Sequence, residues 1–259
     1  MKPYGIDPRL AEAEIQNDAQ KIKKNPLLHE IYLDVYARIV AELPPGANQI
    51  LEIGSGGGFL KDSIPGLITS ELEPVQGIDR VLDACQLDAY FAEASLDCIT
   101  GFNVFHHLPD PTGFLRGSQT TLRPGGRVVL VEPWFTPLGQ WFYRLLHHEP
   151  WIADPDSWTI ANEGRLGGAN SKLPTNVFGL RRERLDREFP LLRLTRAQPF
   201  HKWLYLFSGG LRLNTRIPRL ISRWLVQADR KINAGDQWAG LFALIVLERL
   251  GDKQRSLAP

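Results

Sequence analysis

The sequence predicts an α/β fold, a three-layer sandwich around a mostly parallel sheet of seven strands, with an N-terminal helix over it and an inserted lid or acceptor region. Three observations predict it. Short apolar runs recur along the first half of the chain and alternate with turn-rich or helical stretches, as parallel strands joined by right-handed crossovers do. One of those runs, Gln49-Ile-Leu-Glu-Ile53, stops at a cluster of glycines, the behaviour of a buried strand entering a tight turn. Regular periodicity lapses after Glu132 and returns from Leu191, which brackets an insertion.

From Pro26 to Leu43, Leu28, Ile31, Tyr32, Val35, Ile39 and Val40 recur at helical spacing, with Glu30, Asp34, Arg38 and Glu42 on the opposite side. Pro44-Pro45-Gly46 ends that amphipathic helix. Strands are expected at Gln49–Ile53, Leu67–Ser70, Arg80–Ala84, Leu96–Gly101 and Val128–Glu132. A helix starts at Asp110-Pro111, with Asp as cap and Pro in the first turn, and runs to a stop at Arg123-Pro-Gly-Gly126. Later, Leu191–Phe207 and Leu241–Glu248 are suited to close the sheet, and Ile217–Ile232 reads as a helix between them.

Composition narrows the function. In 259 residues, 30 Lys plus Arg stand against 29 Asp plus Glu, so the chain lacks the basic footprint of a nucleic-acid binder, and no nucleic acid is expected as partner. Only Cys85 and Cys98 are present, in no redox or zinc spacing, and they read as buried, reduced thiols of a cytoplasmic protein. Neither an export signal nor a membrane-spanning run is expected.

Chemistry is concentrated in Ile50-Leu-Glu-Ile-Gly-Ser-Gly-Gly-Gly-Phe-Leu60. Glycine lets the backbone turn sharply and approach a ligand, and a helix following the turn would offer N–H groups at its start. A dinucleotide site would need a small residue where Phe59 stands, so the pattern is ExGxGxG rather than GxGxxG. The side taken by the Phe59 ring decides whether this turn is a binding surface.

On these residues the chain resembles the Rossmann-like SAM-dependent methyltransferases, in their small-molecule branch. Glu52-Ile-Gly-Ser-Gly-Gly-Gly58 matches the family's first motif, and the resemblance implies S-adenosyl-L-methionine (SAM) at Glu52, Gly54, Ser55, Gly56 and Gly58. It further implies a ribose-binding carboxylate at Glu71, with Glu73 as a rival, an acid near the adenine at Asp83-Ala84, and cofactor contacts at Phe102 and Asn103. Leu96-Asp97, Asn103-Val-Phe-His-His-Leu-Pro-Asp-Pro111 and Leu122-Arg-Pro-Gly-Gly126 follow in the family's order, although Leu87 is followed by Asp88-Ala89 where a proline and an aromatic are common. The chain is then one domain, residues 1–259: a helical cover at 1–45, a SAM-binding core at 46–133, an acceptor-binding insertion at 134–190, and C-terminal strands with a basic helix at 191–259.

Methyl transfer is an in-line displacement on an already activated carbon, so alignment and exclusion of water matter more than catalytic groups. A hydroxyl acceptor would add one requirement, a base, and the candidates are His107, His106 and His148, the last beside His147. Adjacent histidines diverge in direction, and no metal is expected. Trp134, Trp141, Trp151 and Trp158 are suited to core packing or to an acceptor pocket, with Gly167-Gly-Ala-Asn-Ser171 as a mobile polar loop above it. The basic amphipathic segment 214–231, with Arg216, Arg219, Arg223, Arg230 and Lys231, packs on the core or lies at an anionic membrane, and the second case makes a lipid-linked glycan precursor a sensible acceptor. The expected activity is methylation of an oxygen, ahead of nitrogen or carbon, on a small molecule. The alternatives are a nucleotide-dependent oxidoreductase or epimerase, disfavoured by Phe59 and the lack of a Tyr-x-x-x-Lys pair, and a non-catalytic SAM-binding protein.

Overall fold

Five strands pair in parallel: β1 (Ile50–Glu52), β2 (Ile68–Glu71), β3 (Arg80–Val81), β4 (Leu96–Phe102) and β5 (Leu122–Pro133). With β6 (Leu192–Phe200) and β7 (Phe242–Arg249) they form a seven-stranded sheet of order β3-β2-β1-β4-β5-β7-β6, in which β7 is antiparallel to both neighbours. This is the mostly parallel sheet of a Rossmann-like fold. The computed structural model describes residues 8–146, 151–160, 168–200, 204–205, 208, 210, 217–231 and 236–251. The central strands β1 and β4 are buried on both faces, apart from the partly covered Phe102, which is why they read as unbroken apolar runs rather than alternating ones.

Helix α1 (Pro8–Lys24) leads through Asn25 into α2 (Pro26–Ala41). Asn25 caps α2 by accepting from Leu28 N at 3.1 Å, and Pro26 sits in the first turn, where its missing N–H has no cost. Both faces of the sheet are covered. On one, Leu28, Tyr32, Val35, Tyr36 and Ile39 of α2 pack against Ile50, Cys98, Val129 and Val131. On the other, Phe114 and Leu115 of α3 (Pro111–Thr121) join Phe105 and residues of the region after β5. That region contributes α4 (Pro137–Leu146), α5 (Leu173–Thr175, continued as a π turn to Leu180) and α6 (Arg182–Glu188). Finally α7 (Arg219–Lys231) lies on α2, and α8 (Asp236–Ala239) precedes β7.

Several boundaries depart from the expectation for physical reasons. β3 ends at Val81 instead of Ala84, because Asp83 accepts from Cys85 N at 2.9 Å and caps a 3₁₀ turn over Ala84–Ala89. Arg123–Gly126 is no stop loop: β5 already begins at Leu122, its register with β4 slips opposite Leu96 to Cys98, and Gly125 takes up the slack at φ +80°. The full helix expected after the glycines is absent, since Pro65-Gly66 leaves room only for the 3₁₀ turn Leu60–Asp62. α1 and α2 cover that face in its place. Gly168–Ser171 is not a mobile polar loop, because Ala169, Asn170 and Ser171 are buried and Asn170 is tied by hydrogen bonds to Ile152 N, Thr159 O and the His106 carbonyl. Residues 161–167 lie outside the described residues, as do Asn214, Arg216 and Ile232 of the basic segment.

Glu30 and Asp34 of α2, expected on a solvated face, are buried under α7. Arg219 and Arg223 reach Glu30 at 3.0 and 3.8 Å, while Arg230 and Arg38 reach Asp34 at 2.5 and 3.2 Å. Deeper in the fold, Asp97 fastens the entrance to β1: its Oδ2 accepts from Asn48 N at 2.6 Å and Gln49 N at 3.0 Å, and Oδ1 meets Arg123 at 2.6 Å. Asp97→Ala leaves two backbone donors and a guanidinium unmatched and should cost about 2 to 3 kcal/mol in denaturant unfolding, with Asp97→Asn milder.

Candidate functional site

The carboxyl ends of β1, β2, β4 and β5 open into a cavity of about 340 Å³, the place where parallel α/β sheets bind ligands. Its floor is the turn after β1. Gly54 and Gly56 lie at φ +57° and +55°, a region side-chain-bearing residues seldom occupy. The glycines nevertheless do different jobs. A Cβ on Gly54 would strike Val104, one on Gly57 would strike the α1 backbone at Ala19, and one on Gly58 would come within 2.6 Å of the Tyr36 hydroxyl. At Gly56 a Cβ would meet nothing closer than Glu71 Oε1 and Gly54 O, both 3.9 Å away, so the space above it is open to the cavity. Gly58 lines the cavity, but its lack of a side chain serves packing against Tyr36.

Phe59 turns away from the cavity. Its ring stacks on His29 at 4.7 Å and packs edge-on to Tyr36 at 5.0 Å, and its N–H donates to the Tyr36 hydroxyl at 3.1 Å. The glycine turn is therefore open on the ligand side. The polar donors here are those of the loop itself, since no long helix follows to supply N–H groups.

Around this turn the cavity gathers every cofactor residue singled out in the sequence: Glu52, Gly54, Ser55, Gly56, Gly58, Glu71, Asp83, Ala84, Phe102 and Asn103. Glu71, at the end of β2, accepts from Gly56 N at 2.5 Å and from Leu72 N at 3.3 Å, and burial raises its pKa despite these bonds. Glu73 lines the same wall. Asp83 uses its oxygens on Cys85 N and the Gln86 amide. Asn103, at the cavity's edge, holds a left-handed backbone at φ +56°, and its buried Oδ1 has no hydrogen-bond partner among the described residues.

Glu52 is nearly sealed from solvent at 4% exposure. Burial pushes its carboxyl up to about 7, a bond with Ser55 pulls down, and the neighbouring Glu71 pushes up again.

The two adjacent histidines separate into two roles. His106 is buried, with Nδ1 2.6 Å from Glu132 Oε2, while Glu132 Oε1 accepts from Val104 N and Phe105 N, each at 2.8 Å. Glu132 thus clamps the end of β4 to the end of β5. His107 is only partly covered, and its Nδ1 meets the Gly168 carbonyl at 3.0 Å. A carbonyl only accepts, so Nδ1 carries the proton, and the neutral ring has its lone pair on Nε2. His147 and His148 lie outside the described residues.

Some lining residues carried little signal in the sequence. Ala11, Glu14, Ile15, Asp18 and Ile22 of α1 form one wall, Tyr32 and Tyr36 another, and Glu132 supports the third from behind. An acid closing the apolar run Val128–Glu132 at a strand's carboxyl end is the one available clue to Glu132. The tryptophans are not lining residues: Trp134 and Trp158 are core, Trp151 packs on Phe135 at 5.7 Å, and Trp141 is exposed. Tyr32, Tyr36, Phe102, Tyr205 and Phe242 supply the aromatic lining instead.

Fold and site together define a Rossmann-like domain with an open glycine turn at the end of β1 and a buried acid at the end of β2, an arrangement that fits SAM. Residues 27–208 match the family described as Methyltransferase domain, so the chain belongs to that family of SAM-dependent methyltransferases. Among curated proteins it is 28% identical over 109 residues to a ubiquinone biosynthesis O-methyltransferase of Xanthomonas axonopodis pv. citri, covering 36% of this chain and 46% of the relative. The protein of the same description from Xanthomonas campestris pv. campestris strain B100 is 29% identical over 120 residues, covering 40% and 49%. The match thus spans about half the length of these relatives. A solved geranyl diphosphate methyltransferase, in complex with GPP and sinefungin, shares the fold at TM-score 0.51 and 15% identity, over 86% of this chain and 80% of that one.

Two outcomes follow from the geometry. Gly56→Asn, a side chain that tolerates the left-handed backbone at this position, should fold yet lose SAM affinity by about 100-fold in calorimetry, because its side chain occupies the space above the turn; Gly58→Val should instead lower the melting temperature, because it collides with Tyr36. Glu52, whose pKa is raised on folding, holds its proton more tightly in the folded than in the unfolded chain, so stability is present at low pH and lost as pH climbs through about 7. The loss should reach about 3 kcal/mol without ligand. Unfolding followed across that range should show the decline, and Glu52→Gln should flatten it.

Proposed function

We propose that this chain transfers the methyl group of SAM to an oxygen of a small molecule, with His107 as the base. The observation that carries the reading is the tautomer of His107: the Gly168 carbonyl holds the proton on Nδ1, so Nε2 is the basic atom of a residue lining the same cavity as Gly56. SAM, when bound, supplies a methyl carbon activated by a sulfonium centre.

The chain's own residues do the rest. Gly54, Ser55 and Gly56 let the ligand lie against the main chain, Glu71 is placed for ribose hydroxyls, Asp83 and Ala84 for the adenine edge, and Phe102 and Asn103 for the base of the cavity. His107 Nε2 takes the acceptor hydroxyl's proton as the oxygen attacks. His106 keeps the loop in position through Glu132. Helix α1 and the aromatic side chains exclude water.

An oxygen acceptor is favoured over nitrogen because a neutral amine attacks without first losing a proton, leaving a positioned base without purpose. The O-methyltransferase description of the curated relatives agrees with this preference. The family match favours methyl transfer over the oxidoreductase or epimerase alternative. A second reading, an acceptor carried on a lipid such as a lipid-linked glycan, draws support from the exposed apolar side chains Leu220, Ile221 and Trp224 of α7.

His107→Ala should lower turnover, followed as release of S-adenosylhomocysteine with a panel of phenolic and alcoholic acceptors, by about 100-fold or more. Its SAM affinity should stay within about threefold of the parent. Undiminished turnover removes His107 from the chemistry, and SAM binding without turnover on any acceptor makes the chain a SAM-binding protein that does not catalyse.

A further inference from the structure

Helix α7 is turned inside out. Its face toward α2 is built from Arg219, Ser222, Arg223, Val226 and Arg230, of which only Ser222 and Val226 are buried. At about 100° per residue the opposite side carries Leu220, Ile221, Trp224 and Ala228. Leu220 is 81% exposed, Ile221 51% and Trp224 66%. A surface helix ordinarily keeps its apolar stripe toward the core and its charges toward water, and α7 does the reverse.

The charges around this stripe are mainly positive, Asp229 being the one acid on the helix against Arg219, Arg223, Arg230 and Lys231. Glu30 is shared by Arg219 and Arg223, and Asp34 by Arg38 and Arg230, so each carboxylate answers two guanidiniums. The side chains of Arg219, Arg223 and Arg230 remain 66%, 59% and 51% exposed while making these contacts, and Lys231 adds to them at the end of the helix. The chain leaves α7 at Lys231 and re-enters at Asp236, at most about 18 Å away by chain length. There α8 and α4, packed on one another, expose Trp238, Trp141 and Leu138.

We infer that α7 is a docking surface for an anionic lipid bilayer, with Leu220, Ile221 and Trp224 entering the interface and the surplus positive charge of the helix and its surroundings drawing it to the leaflet. Tryptophan and aliphatic side chains beside arginine are the composition that settles at the headgroup boundary. Surplus positive charge complements an anionic leaflet. A stripe about 14 Å long and one helix wide falls short of the roughly 1,200 Å² that a stable protein interface buries, which disfavours a second copy as occupant. The docking does not depend on which acceptor the cavity takes.

The test is co-sedimentation of the full chain with vesicles of phosphatidylcholine alone and of phosphatidylcholine with phosphatidylglycerol. The chain should partition to the anionic vesicles, less so as salt rises, and Leu220→Ser with Trp224→Ser should lower partitioning by about tenfold or more. SAM affinity should be unchanged in that double variant, which separates this surface from the cofactor site. The inference is overturned if the parent ignores anionic vesicles, if the double variant partitions like the parent, or if the parent is a dimer in solution that the double variant dissociates.

Discussion

The turn from Gly54 to Gly58 is wedged between three bodies, and the rest of the site is arranged by that wedge. Val104 presses on Gly54 from the β4 side, the α1 backbone rests on Gly57 at Ala19, and the Tyr36 hydroxyl sits beside Gly58 and accepts from Phe59 N. A side chain at any of these positions would push a neighbour away. Only Gly56 faces open space, so packing fixes the turn while leaving one side of it uncovered. Preorganisation of this kind spares the ordering cost at binding.

Most of the sheet was legible in the sequence because strands buried on both faces must be continuously apolar. β1, β4 and β5 gave that signal, and the glycines marked where β1 ends. α1 was not legible, for a physical reason. Its inner face combines Ala11, Ile15 and Ile22 with Glu14 and Asp18, because it borders a cavity and not a core, and such a face has too few apolar residues to register as a stripe. α2 misled in the opposite sense. Glu30 and Asp34 occupy the positions of a solvated face, yet they are buried, because α7 lies over them and its arginines, far along the chain, join the local Arg38 in pairing with them, where no local pattern records the covering helix.

The site shows the same division. Residues on the glycine turn and at strand ends were readable, since main-chain geometry ties them to short motifs. The separation of His106 from His107 was not. That difference is set by what each Nδ1 meets, a buried carboxylate for one and a backbone carbonyl for the other, and both partners are distant in sequence. Glu132 is central to it, closing the backbone of Val104 and Phe105 with one oxygen and the His106 ring with the other. A buried polar network with each member satisfied fixes one arrangement of the loop, and His107 follows from it as the next residue.

Charge burial also dictates how α7 meets the rest of the molecule. Carboxylates placed at Glu30 and Asp34 of α2 and removed from water need cations at close range. α7 supplies them, and to do so it must point its arginine side inward. A helix of that sequence then has nowhere to put Leu220, Ile221 and Trp224 except outward, opposite the ion pairs. Electrostatic satisfaction of one helix and apolar exposure of the other are thus a single structural choice. A uniformly apolar contact between α2 and α7 would have buried more hydrocarbon and left a polar exterior; the arrangement present exchanges that for an outward-facing stripe.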